Sequence, residues 1–169
     1  MAQLVYQQDP DLAIEGGMAD ISLDREIRSA VVKVDVGFGL FITYAAGAVD
    51  DRTPHAVLPT TALEITDPTA LGFALADTTL PGPLAPAAAV GWETDSVCRY
   101  MRSGCLWVLP EVAVSYGDPV FVRFAAGAGG ADLGRTRTDA DTASAAQLPG
   151  AFFKSTTSAA GLAVIEFRP

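Results

Sequence analysis

Few residues in this chain have the type and spacing to do chemistry. His55 is the only histidine. A lone imidazole in a segment flanked by Pro54 and Pro59, with no second histidine to share a ligand set, reads as structural or solvent-facing. Ser115, Ser155 and Ser158 lack the G-x-S-x-G setting of an activated nucleophile, so they form no triad with His55. Asp139 and Asp141, with Asp132 nearby, are the oxygen ligands a hard cation such as calcium would take. Without the glycine turn and bidentate glutamate of an EF-hand they read as a solvated acidic loop, and Asp50-Asp51 reads the same way. Gly127 to Gly134 is rich in glycine and follows a strand, as a phosphate-cradling loop does. It lacks the Lys-Ser/Thr ending and leads into Arg135 to Asp141 rather than a helix, so it has no helix dipole to hold an anion. Cys98 and Cys105 form a C-x6-C pair without a nearby histidine, a poor metal site. We therefore expect no catalytic residue, no cofactor and no metal. Two carboxylates for glycoside hydrolysis exist in any acidic chain and are unsupported by any pattern here.

Composition narrows the function classes further. The 169 residues are 50% apolar and 18% charged, enough to bury a core and too apolar for a disordered chain. With 20 acidic and 11 basic residues the formal charge is -9, so a contact with nucleic acid would be built against net repulsion. No nucleic-acid partner is expected. No apolar run reaches membrane-spanning length and Met1 to Leu4 does not open a secretory signal, which predicts no membrane partner and synthesis in the cytosol. In that reducing compartment the cysteines are expected as free, partly buried thiols.

The elements that must position these residues read as strands. Ala30, Val32, Val34 and Val36 alternate with Val31, Lys33 and Asp35, and Phe38, Leu40, Ile42 and Tyr44 alternate with Gly37, Gly39, Phe41 and Thr43. Short apolar runs follow at 71–76, 97–101, 105–109, 112–114, 120–124, 151–154 and 162–167, each bounded by Gly, Pro, Asp or Ser. That spacing predicts an all-β sandwich or barrel with little helix. The core is expected to contain Val32, Val34, Phe38, Leu40, Ile42, Val120, Val122, Val164, Ile165 and Phe167. Trp92, Trp107, Phe121, Phe124, Phe152 and Phe153 are expected mainly as core rather than as a sugar-stacking platform. Ser22 to Arg28 is the one helical candidate, a turn or short helix capped by Ser22. Arg102-Ser103-Gly104 reads as a turn between two strands. Gly16-Gly17 sets off an N-terminal arm, residues 1–15, from a β-rich domain, 16–169. The proline-rich connector at 80–90 marks a point where that domain could subdivide.

Motif order adds a family resemblance. Gly16-Gly17-Met18-Ala19-Asp20, then Tyr100 to Val108 with its arginine, small residue, glycine and apolar strand, then Gly117-Asp118-Pro119 feeding Val120 to Phe124 follow one another at a characteristic interval. The Leu148-Pro149-Gly150-Ala151-Phe152 turn and the closing Gly161-Leu162-Ala163-Val164 complete the series. Together they resemble the structural cement, or head decoration, proteins of tailed bacteriophages.

The resemblance implies a jelly-roll-like protein, made in the host cytoplasm, that coats the outer surface of an icosahedral capsid. There it would bind the major capsid protein, clamp neighbouring capsomers and stabilise the head. Self-association as a homodimer, or alternatively a trimer, is expected with it. The alternatives are another virion β-protein of the neck, tail or fibre, and a carbohydrate-binding β-sandwich. The arm carries Leu4, Val5 and Tyr6 ahead of Asp9-Pro10, which makes them candidate partner-contact residues that add along a neighbour's exposed strand.

Overall fold

The computed structural model describes residues 14–19, 25–45, 54–67, 70–76, 91–126, 133–158 and 161–168. In chain order the strands are β1 (Glu26–Val32), β2 (Val36–Gly37), β3 (Phe41–Tyr44), β4 (His55–Val57), β5 (Gly72–Ala74), β6 (Gly91–Trp92), β7 (Val97–Val108), β8 (Pro119–Arg123), β9 (Thr136–Arg137), β10 (Ala145–Phe153) and β11 (Ala163–Phe167). Among the described residues one short helix, α1 (Leu63–Thr66), lies between β4 and β5. The all-β class expected from alternation is the class observed.

β7 organises the molecule because it belongs to two assemblies. Its first half pairs antiparallel with β1 on one edge, Val31 opposite Val97 and Ala30 opposite Cys98, and with β5 on the other, Phe73 opposite Met101. β5 continues to β3, β3 to β4, and β4 returns to β1 as a parallel pair, so five strands close into a ring. The second half of β7 pairs with β11, which continues through β10 and β8 to β9. Barrel and open sheet thus share one strand. The parallel β1–β4 pair makes the sheet mixed, and a jelly-roll-like connectivity is compatible with it.

Each assembly has its own core. The ring interior is filled by Ala30 and Val32 from β1, Ile42, Ala56, Ala74, and Cys98 and Tyr100 from β7; the β2–β6 ribbon adds Val36 and Trp92. The indole N–H of Trp92 donates to the Leu75 carbonyl at 2.9 Å, which satisfies its one polar atom in the apolar setting. The second core joins the inner face of the open sheet, Val120, Val122, Phe153, Ile165 and Phe167, to Phe41 and Phe73 on the outside of the ring. Phe41, Phe73 and Phe167 meet edge to face at 5.3 and 5.1 Å. Fully burying each such side chain contributes about 1.5–3 kcal/mol, so this aromatic chain is a main tie between ring and sheet.

Several local expectations are corrected. Ser22 to Arg28 does not make a helix over its described part: Glu26 to Arg28 open β1, because the edge of β7 offers a full ladder and a single helical turn cannot match it. Arg102-Ser103-Gly104 is no hairpin but the interior of the twelve-residue β7, where the register against β1 slips between Glu26 and Ile27. Gly104 holds φ +131°, which lets the strand absorb the bulge without turning back. The bulge also changes which way β7 faces: Cys98 and Tyr100 point into the ring, whereas Leu106 and Val108 point into the second core. Leu148-Pro149-Gly150 likewise lies inside β10, where its register against β8 is irregular. Val34 is exposed, because the chain bends after Val32, while Phe38 and Val164 are half-buried at the margins. Val112 to Val114 reduces to a bridge between Val114 and Thr157.

Candidate functional site

The acidic residues that a cation could have used are bound by arginine instead. Arg123 at the end of β8 and Arg137 on β9 are buried, and both guanidinium groups turn toward Glu111 and the loop after β9. Arg123 Nε and Nη2 donate to the two carboxylate oxygens of Glu111 at 2.6 and 2.7 Å, and Nη2 also donates to Asp141 Oδ2 at 2.6 Å. Arg137 Nη1 donates to Glu111 Oε2 at 3.0 Å and lies 2.8 Å from Asp141 Oδ2, while its Nη2 lies 2.6 Å from Asp139 Oδ1. Planar guanidinium forks meeting carboxylates in this way form charge-assisted bonds of high directionality. The Glu111 hydrogen bond holds the Arg123 guanidinium above its ordinary value, and the Arg123 hydrogen bond holds the Asp141 carboxyl below its own, against desolvation in both. The expected solvated loop is therefore a brace. Asp132 and Asp50-Asp51 lie outside the described residues.

The brace fixes an unusual turn. Asp141, Thr142 and Ala143 all have positive φ, at 40°, 53° and 65°. Non-glycine residues in the left-handed region cost about 1–2 kcal/mol each. Ser144 and Ala145 donate back to the Ala140 carbonyl at 3.0 and 3.1 Å, closing the turn, and the Asp141 carboxylate anchors it to the sheet.

The other chemical candidates are structural too. His55 begins β4, half-buried, opposite Val31. Ser155 Oγ accepts the Val164 N–H at 2.8 Å, and the Ser115 N–H donates to Asp118 at 2.8 Å to close the turn before β8. The Ser158 carbonyl accepts from Gly161 N–H. Cys98 and Cys105 are free and buried. Among the described residues no group of three His, Cys, Asp or Glu side chains is placed to hold a metal ion, and no helix is long and apolar enough to cross a membrane. Trp92, Phe153 and Phe167 are buried, and Trp107, Phe121, Phe124 and Phe152 half-buried, so these side chains form no open stacking platform. A small apolar cavity of about 70 Å³ lies between α1, β5, Pro149 and Phe167. Ligand pockets typically measure about 300–1,000 Å³, so it suits no substrate of ordinary size.

Leu63 on α1, Tyr116 in the turn before β8, and Val97 at the start of β7 are 78%, 69% and 57% exposed. The partner-contact candidates Leu4, Val5 and Tyr6 and the 80–90 connector lie outside the described residues. The described end of the arm is tied down: Gly16 N–H donates to the Trp107 carbonyl at 2.8 Å, and Glu15 bridges to Arg135 at 2.6 Å.

No curated protein matches the chain. Among solved structures it is similar to a chain of the capsid of Myoviridae phage XM1, at 21% identity and a TM-score of 0.66, covering 98% of this chain and 96% of that one. It is also similar, at 11% identity and a TM-score of 0.45, to the head fiber gp8.5 N base of bacteriophage phi29, covering 85% of this chain and 94% of that one. The family described as structural cement protein (E217 gp24/Pam3 gp6) matches residues 2–168. The chain belongs to that phage cement family, and it is a virion structural protein that stabilises the capsid.

Proposed function

We propose that the protein sits on the outer surface of an icosahedral head, binds the major capsid protein there and clamps neighbouring capsomers as a homodimer, with a trimer as the alternative. The observation that carries the outer placement is charge: a stabilising protein with net charge -9 is repelled by the packaged DNA that fills the inside of the shell. Binding is the whole mechanism, and no catalytic role is assigned. Many copies repeated by icosahedral symmetry make a contact of modest affinity effective. In this reading residues 1–15 are an arm, 16–169 the body, and the 80–90 connector a divide within that body. Leu4, Val5 and Tyr6 make an intermolecular contact. A cryo-electron reconstruction of decorated heads tests the placement, with density expected outside the shell at capsomer boundaries near two-fold-like positions. Density inside the shell, or confined to the neck or tail, would contradict it. Deleting residues 1–8 is expected to leave the protein folded and to weaken its retention on heads; unchanged retention would remove the arm from the clamp.

A further inference from the structure

One sheet face combines apolar exposure with basic charge in an otherwise acidic protein. On the outside of the ring, β4, β1 and β7 lie side by side, with His55 opposite Val31 and Val31 opposite Val97. The next row along the same face places Ser29 opposite Arg99, and Ile27 follows two residues beyond Ser29. Val97 and Ile27 are exposed, Val31 half-buried. Arg99 and, just before β1, Arg25 are exposed, and no carboxylate among the described residues pairs with either. By contrast Arg123, Arg135, Arg137, Lys154 and Arg168 are all ion-paired within the chain. The face therefore offers β-branched apolar contacts beside positive charge that no described carboxylate pairs with.

We propose that this face receives the N-terminal arm of a second copy of the chain. The inference rests on the reading that the arm makes an intermolecular contact and names its acceptor. The arm's chemistry is complementary: Leu4, Val5 and Tyr6 are followed by Asp9 and Asp11, and residues 1–15 contain no Lys or Arg. The described end of the arm turns at Ile14–Gly17, where the Gly17 N–H donates to the Ile14 carbonyl at 2.9 Å, and is fixed beside Trp107 on β7; the choice of a neighbour's arm over the chain's own follows from the intermolecular reading. In a two-fold dimer the exchange is reciprocal.

The test uses full-length protein carrying the photo-crosslinker p-benzoylphenylalanine at position 6, with 14N- and 15N-labelled copies mixed, in solution and on heads. Mixed-isotope cross-links are expected into residues 26–32 or 97–103. Val97→Glu, at an exposed site and checked for an unchanged far-ultraviolet spectrum, should cut their yield by about tenfold, because it places a carboxylate in the apolar contact and repels the acidic arm. An unchanged yield in Val97→Glu, or mixed-isotope cross-links to another face, would overturn this acceptor. Cross-links to the major capsid protein would overturn it too while leaving the arm as a clamp contact. Cross-links confined to one copy, or none at all, would overturn both the acceptor and the arm's intermolecular role.

Discussion

Arg123 Nη2 and Asp141 Oδ2 lie 2.6 Å apart, joining a buried guanidinium on β8 to a turn of three successive left-handed residues. The same guanidinium holds both oxygens of Glu111. Removing it would leave two carboxylates facing a third, Asp139, with Arg137 left to neutralise them. Breaking a buried pair from one side costs about 3–5 kcal/mol, so Arg123→Met should lower the unfolding free energy measured in urea by that order and open the 140–145 turn to hydrogen exchange. Stability equal to wild type would show that the network is electrostatically idle.

Acid should unfold the protein through Asp141 and three other hydrogen-bonded carboxylates. The Arg123 hydrogen bond lowers the Asp141 carboxyl, that of Lys154 lowers Glu166, that of Lys33 lowers Asp95, and the Thr94 N–H lowers Asp35. A carboxyl depressed in the folded state gives stabilisation that is full above its unfolded value, about 4. That stabilisation is lost as pH falls through the folded value. Thermal midpoints should therefore be flat above about pH 5 and decline below about pH 4, with the decline shallower in Asp141→Asn. A midpoint that rises on acidification would have the wrong sign.

What the sequence made legible was the half of the fold governed by one packed face. The run at 120–124 became β8 and that at 162–167 became β11 within a residue or so, because alternation there records burial against a single core. Gly104 misled because glycine marks both a turn and a bulge, and only the partner β1 decides between them. α1 was missed although Thr61-Ala62-Leu63-Glu64 has the spacing of a capping box. Glu64 accepts the Thr60 and Thr61 N–H groups at 2.6 and 3.0 Å, which starts the turn. The arginine brace was not legible: Arg135 to Asp141 shows acids beside bases, but Glu111 and Arg123 reach them only through sheet register.

Burial should also silence Cys98. Desolvation pushes its thiol up to about 11, so almost no thiolate exists at neutral pH. Seven residues along β7 place Cys98 and Cys105 about 23 Å apart, beyond the Cα separation of about 7 Å that a disulfide tolerates. Maleimide at pH 8 should leave Cys98 unlabelled in the folded protein and label it in denaturant. Rapid labelling of the native state would mean that the ring opens readily.

A charge placed in the second core should prevent folding. Val122 on β8 is fully buried among the side chains of the open sheet. An unpaired carboxylate there costs several kcal/mol, comparable with the roughly 5–15 kcal/mol that holds a domain together. Val122→Asp should be insoluble or lack a cooperative transition, and a wild-type melting curve would take Val122 out of the core.

Ring closure should be sensitive to a single methyl group at Gly72. β5 is three residues long and connects β3 to β7, so the ring has no other strand at that point. Gly72 holds φ +138°, and a Cβ there would sit 2.1 Å from the Met101 carbonyl oxygen, a backbone atom fixed within β7. The neighbouring Phe73 carries the contacts to Phe41 and Phe167, so a displaced β5 would loosen ring and sheet together. Gly72→Ala should therefore destabilise far more than Gly117→Ala, whose site has positive φ but open space around it. Comparing the two variants separates collision from backbone preference, because both incur the left-handed penalty and only one meets an obstacle. Equal losses of stability would mean that β5 can shift away from β7, and that the ring is not held closed at this strand.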